Sequence, residues 1–279
     1  MIQKIQGTFQ DAIQKLGSYP VLNGIIDSSE FVEKATKKYP NGPEMEEGKD
    51  VFDLLTALLV KDFPLFQQAT TNAATPEGVL ASIEDALATL KFTEEQKKQI
   101  AVKLLNLRTT SLWDTLTELL LYKTMAGNVS QDRLAIEYPL GIGKKGSPTK
   151  DADIALLGDD LKPIALIDAI APNMPSSVSS VQETVVDWIE RKYNSKFSAY
   201  CSSNPSAKVS IFVSVIKSEL IYFGFPIKMV DSNHVEPIYS SKLDALPGLL
   251  AGFACSFRCV NGKTLVLDHL AKYERGKQP

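Results

Sequence analysis

Ser147-Pro-Thr-Lys-Asp-Ala-Asp-Ile-Ala-Leu-Leu-Gly-Asp-Asp-Leu-Lys-Pro-Ile-Ala-Leu-Ile-Asp-Ala-Ile-Ala-Pro-Asn173 is the stretch on which the fold turns. Two apolar runs of strand length, Ile154 to Leu157 and Ile164 to Ile167, flank the turn signal Gly158-Asp159-Asp160-Leu161-Lys162-Pro163, a pattern that predicts a β-hairpin. Antiparallel partners have position numbers of constant sum, and closure at Gly158 and Pro163 sets that sum at 321, which makes Asp153 the partner of Asp168. Directly opposed residues share a face of the sheet, with Cβ atoms about 5 Å apart. Two carboxylates that close resist ionising together unless a cation lies between them, so a divalent metal is the expected occupant.

Asp-x-Asp is also common in loops, and an aspartate ending a strand is often a turn former. Asp168 argues for more than that. It lies in the face Ile164, Leu166, Asp168, Ile170, while Ala165, Ile167, Ala169 and Ala171 form the other, so the strand is apolar on both sides apart from this acid. Burying a lone carboxylate costs several kcal/mol, so a partner or a function is expected for it.

Working outward, the chain of 279 residues is 44% hydrophobic and 23% charged, enough to bury one large core or two modest ones. No apolar run approaches the ~20 residues needed to span a bilayer, and Met1-Ile2-Gln3-Lys4-Ile5-Gln6 lacks the apolar centre of a signal peptide, so a cytoplasmic protein without membrane contact is expected. Cys201, Cys255 and Cys259 are an odd number and imply no disulfide framework. With only His234 and His269 beside them, they give no zinc pattern either. A formal charge of −3 carries no global nucleic-acid signal, so any DNA contact must come from local basic patches.

Residues 1–110 read as a helical N-terminal region for recognition, covering or dimerisation. Apolar residues recur at spacings of three and four near 3–16, 29–39, 46–62, 77–90 and 94–108, separated by Gly17-Ser18-Tyr19-Pro20, Pro40-Asn41-Gly42-Pro43 and Thr70-Thr71-Asn72. Thr93-Glu94-Glu95-Gln96 is a capping box for the last of them. Residues 111–279 read differently. Leu112 to Met125 predicts a helix, Leu134 to Tyr138 a strand, 153–157 and 164–169 the hairpin, Ser179 to Tyr193 a helix, and Val209 to Ile216 a strand. A strand over Leu220 to Val230 and a hairpin from Phe253 to Leu267, turned by Asn261-Gly262, follow. The expected class is α/β, a mixed sheet flanked by helices.

The order helix, three strands, helix, strand, with Asp153 opening the second strand and Asp168-Ala169-Ile170 closing the third, resembles the PD-(D/E)XK nuclease superfamily, known from type II restriction endonucleases. The resemblance covers about residues 111–216 and implies a restriction-endonuclease-like catalytic core. It implies that Asp153 and Asp168 hold Mg²⁺ with help from the backbone carbonyl of Ala169, and that Glu118 supplies the acid of the preceding helix. Ala152 stands where the family has proline. Ile170 stands where it has the lysine that donates to the attacking water and the phosphate, and loss of such a donor can cost about 10² to 10³ in rate. Three readings of Ile170 compete: a naturally inactive relative, a lysine from elsewhere such as Lys144, Lys145 or Lys150, and a substitution that traps uncut DNA. The fit of the surrounding residues favours the last.

The loop Gly141-Ile142-Gly143-Lys144-Lys145-Gly146-Ser147-Pro148-Thr149-Lys150 leads cations into the site, and Lys144, Lys145 and Lys150 are expected to contact DNA phosphates. Arg191, Lys192 and Lys196 end the next helix, where DNA and a solvated surface explain them equally well. The function implied is Mg²⁺-dependent, sequence-specific cleavage of double-stranded DNA by a homodimer, in a lysine-less form that binds metal and DNA but cuts poorly or not at all. The rivals are a catalytically silent DNA-binding or scaffold protein with a nuclease fold, and a helical interaction protein whose acids face solvent.

Overall fold

The computed structural model describes residues 7–42, 53–59, 76–141, 150–172, 181–214, 235–260 and 263–276. The chain divides into one unit of residues 1–123 with 257–266 and a second of 124–256 with 267–279. This division differs from a cut at residue 110.

The first unit carries α1 (Phe9–Leu16), α2 (Pro20–Ile25), α3 (Ser28–Lys38), α4 (Leu54–Leu59), α5 (Pro76–Thr89), α6 (Glu94–Leu104) and most of α7 (Thr109–Ala126). Local chemistry sets several of its helix starts: Thr8 with Asp11 and Thr93 with Gln96 form capping boxes, and Asp27 accepts from Glu30 N–H. The segment read as the separator Gly17-Ser18-Tyr19-Pro20 leads into α2. Pro20 suits its first position, and the carboxylate of Glu84 on α5 accepts from Val21 and Leu22 N–H at 2.9 and 2.8 Å. Of the helix expected over 46–62, α4 is the part within the described residues. Helix α7 falls in this unit up to Lys123, and its Leu112, Trp113 and Leu116 are buried. The Trp113 ring lies 5.2 Å from that of Phe257, and Leu265 N–H donates to Ser82 Oγ of α5 at 2.7 Å, so 257–266 joins this unit.

A seven-stranded mixed sheet, most of it in the second unit, gives the α/β class. Its strands are β1 (Leu134–Pro139), β2 (Asp151–Leu157), β3 (Pro163–Ile170), β4 (Val209–Ser214), β5 (Glu236–Ile238), β6 (Leu249–Val260) and β7 (Thr264–Glu274), in the spatial order β1-β2-β3-β4-β6-β7-β5. The pairs β1–β2 and β2–β3 are antiparallel, while β3–β4, β4–β6 and β5–β7 are parallel. A parallel neighbour needs a crossover, and α8 (Val181–Lys196) with α9 (Ser198–Ser203) lies between β3 and β4 in the chain. Helix α10 (Ser241–Asp244) precedes β6.

The expected strand over 220–230 and the Asn261-Gly262 turn fall outside the described residues. Strands β6 and β7 extend beyond the expected hairpin at both ends. Val185, Ile189 and Tyr193 of α8 share one buried cluster with Leu166, Val209, Ile211 and Val213 of the sheet. Gly252 permits the close approach, because a Cβ there would stand 2.5 Å from Ile189 Cδ1. Among the described residues, no helix is long and apolar enough to cross a membrane.

Candidate active site

The β2–β3 ladder pairs Ile154 with Ile167, Ala155 with Leu166 and Leu156 with Ala165, the register expected from the sequence, and shifts by one at Leu157 and Pro163. At the acids, carboxylates take over the bonding between the strands. Asp153 N–H donates to Asp168 Oδ1 at 3.3 Å, and Ala169 N–H donates to Asp153 Oδ2 at 2.7 Å. Both aspartates are buried, Asp168 completely. A carboxylate that accepts from the neighbouring backbone is fixed in direction, so the pair is aimed before any ligand arrives.

Two lysines of α8 complete the cluster. Lys196 Nζ lies 3.1 Å from Asp153 Oδ1 and also donates to Asp168 Oδ1. Lys192 Nζ is 2.8 Å from Asp168 Oδ2, an ion pair with that buried oxygen. Among the described residues, two ammonium groups face the two acids.

Burial, then the Asp153 charge, push the Asp168 carboxyl up from its ordinary value, while Lys192 and Lys196 pull it back. Burial works against the Lys196 ammonium, yet Asp153 and Asp168 outweigh it and hold its pKa above that of an ordinary lysine. These tendencies oppose one another across a single ion pair. The geometry supports the charged form, because one ammonium reaches a carboxylate oxygen of each acid.

The other expected site residues have separate places. Ala169 meets the site through its N–H, and Ile170 packs against the buried cluster around α8. Glu118 lies on α7 in the first unit, where Lys103 donates to its Oε2 at 2.6 Å. Lys144 and Lys145 lie outside the described residues. Lys150 is exposed, and its ammonium donates to the carbonyl of Ser195 near the C-terminal end of α8. The lysines missed as site residues, Lys192 and Lys196, carried a legible signal: Val185, Ile189, Lys192 and Lys196 follow the three-and-four spacing of a single helix face. Two lysines on an apolar stripe call for buried acids.

No family model, curated protein or solved structure matches the chain.

Asp153 and Asp168 fit a divalent cation by the chemistry of their donors. They are hard oxygen ligands, both already in contact with one cation. Among the described residues, no third carboxylate, histidine or cysteine forms a metal-binding group with them, so a bound Mg²⁺ would keep positions for water and substrate oxygens.

Proposed function

We propose that this chain is a Mg²⁺-dependent endonuclease of the restriction type, hydrolysing phosphodiester bonds of double-stranded DNA at a specific sequence. The observation that carries this reading is the buried carboxylate pair of β2 and β3 with a lysine from α8 between the two acids. The element order α7–β1–β2–β3–α8–β4, with three strands followed by a helix and a parallel fourth strand, supports it.

In this reading Asp153 and Asp168 hold Mg²⁺, which when bound lowers the pKa of a coordinated water and neutralises charge on the scissile phosphate. Lys196 takes the role that Ile170 cannot fill, donating from a cationic head to the phosphate and the attacking water. Lys192 stays beside Asp168 Oδ2 and keeps that acid charged. Lys150, at the exposed start of β2, contacts a neighbouring phosphate. Glu118 has no assigned step, its carboxylate being engaged by Lys103. A homodimer matches the two-fold symmetry of a palindromic site.

The test is incubation of the chain with mixed plasmid and genomic duplex DNA and Mg²⁺. Discrete fragments are expected from the wild type, and none from Asp153→Asn or Asp168→Asn. A wild type that binds duplex DNA and Mg²⁺ yet leaves every substrate intact would establish the silent DNA-binding protein instead.

A further inference from the structure

We propose that Lys196 is a resident cation which a divalent metal displaces from the Asp153–Asp168 pair, so that metal binding itself releases the ammonium for the phosphate. The inference rests on the metal-dependent reading above and concerns how that site is loaded.

Three observations carry it. First, Lys196 Nζ contacts Oδ1 of both acids, the point from which a bridging cation would also reach both. Second, among the described residues Lys192 and Lys196 match the charge of the pair, so a divalent ion added to these four groups would bring two more positive charges beside a fully buried Asp168. Surplus positive charge beside a buried carboxylate is unfavourable, and withdrawal of one ammonium relieves it. Third, the carboxylates do not depend on Lys196 for their aim: Asp153 N–H holds Asp168 Oδ1 and Ala169 N–H holds Asp153 Oδ2. The pair stays formed when the ammonium goes.

Lys196 is the one placed to leave. It is the last residue of α8, on a flexible four-carbon stem, and its ammonium lies 5.9 Å from the Phe197 ring, a second favourable surface for a cation. Lys192, one turn earlier, contacts only Asp168 of the pair, so its departure would leave the bridging position filled.

The primary test uses the wild-type chain. An amine-acylating reagent is applied with and without Ca²⁺, with modification read lysine by lysine by mass spectrometry and Ca²⁺ binding followed by calorimetry. Lys196 should gain reactivity about fivefold or more on Ca²⁺ saturation, while the exposed Lys162 is unchanged, because an amine buried in an ion pair reacts slowly and a released one does not. In parallel, Lys196→Met should bind Ca²⁺ about tenfold or more tightly than the wild type, since a unit charge a few Å from the metal is gone. Bound Ca²⁺ with unchanged Lys196 labelling overturns the displacement while leaving the metal reading intact, and so does a Lys196→Met chain that binds no more tightly. Absence of Ca²⁺ and Mg²⁺ binding to both chains overturns the metal reading and this inference with it.

Discussion

Lys196 Nζ lies 3.1 Å from Asp153 Oδ1 although 43 positions of sequence separate the two residues. The contact joins the end of a crossover helix to the second strand of the sheet and brings to the acids an ammonium that Ile170, on β3, cannot supply. Charge balance at the site therefore comes from tertiary packing of α8.

Replacing Lys196 by alanine should lower the Mg²⁺-dependent cleavage rate by about 10² to 10³, the usual cost of one preorganised donor. Duplex affinity should change by less than about tenfold, because most contacts that hold a duplex go to phosphates along the surface. Single-turnover rates and filter binding on the same preparation separate the two effects.

Gly252 sets how closely α8 approaches β6. Gly252→Ala forces Ile189 Cδ1 to move, since the new Cβ would stand 2.5 Å from it. Overpacking of this kind costs about 1 to 3 kcal/mol. Urea denaturation should show that loss, and because Lys192 and Lys196 lie further along α8, the rate of DNA cleavage should fall as well.

In the first unit, Asp53 is fully buried, lies 2.6 Å from Lys38 Nζ, accepts from Tyr39 Oη at 2.9 Å, and caps α4 by accepting from Thr56 N–H at 3.0 Å. Breaking a buried pair by removing one partner costs roughly 3 to 5 kcal/mol. Lys38 is about one-third exposed and recovers part of its hydration, so Asp53→Ala should cost about 3 kcal/mol by urea denaturation. A loss below about 1 kcal/mol would show that water replaces the carboxylate freely.

His269 sits against Phe253 and Phe212, with ring centres 4.8 and 5.9 Å away. Burial, then the Lys272 charge, lower its pKa below 6.5, with Asp268 opposing. The unfolded chain therefore takes up this proton first on acidification, and the stability present above about pH 6.5 is lost as pH falls through the folded value. His269→Gln should flatten that part of the profile of urea midpoint against pH. A wild-type midpoint that rises over the same interval would reverse the sign.

The hairpin was legible because the turn signal between the two apolar runs sets Ile154 to Leu156 against Ala165 to Ile167, a purely local constraint, although Pro163 pairs with Leu157 and not with the expected Gly158. The mixed sheet followed from the order of strand and helix patterns. The Glu84 cap on α2 was not legible, since its bonds span more than 60 positions and no nearby residue announces it. The lysine pair lay between these cases. Its spacing on α8 marked the buried face, but which acids it would meet depends on how the crossover lays that helix on the sheet.

The central claim is that Lys196, reaching in from α8, performs the work of a lysine at position 170. Ile170 shares a face of β3 with Asp168, two residues away, so a lysine placed there approaches the same acids along the strand. The decisive measurement compares single-turnover Mg²⁺-dependent DNA cleavage by Lys196→Met with that by the double variant Lys196→Met/Ile170→Lys. The account predicts that the double variant cleaves at least about tenfold faster than the single one, recovering part of a donor effect of about 10² to 10³. A double variant that folds, binds Mg²⁺ and duplex DNA, and cleaves no faster than Lys196→Met would contradict it.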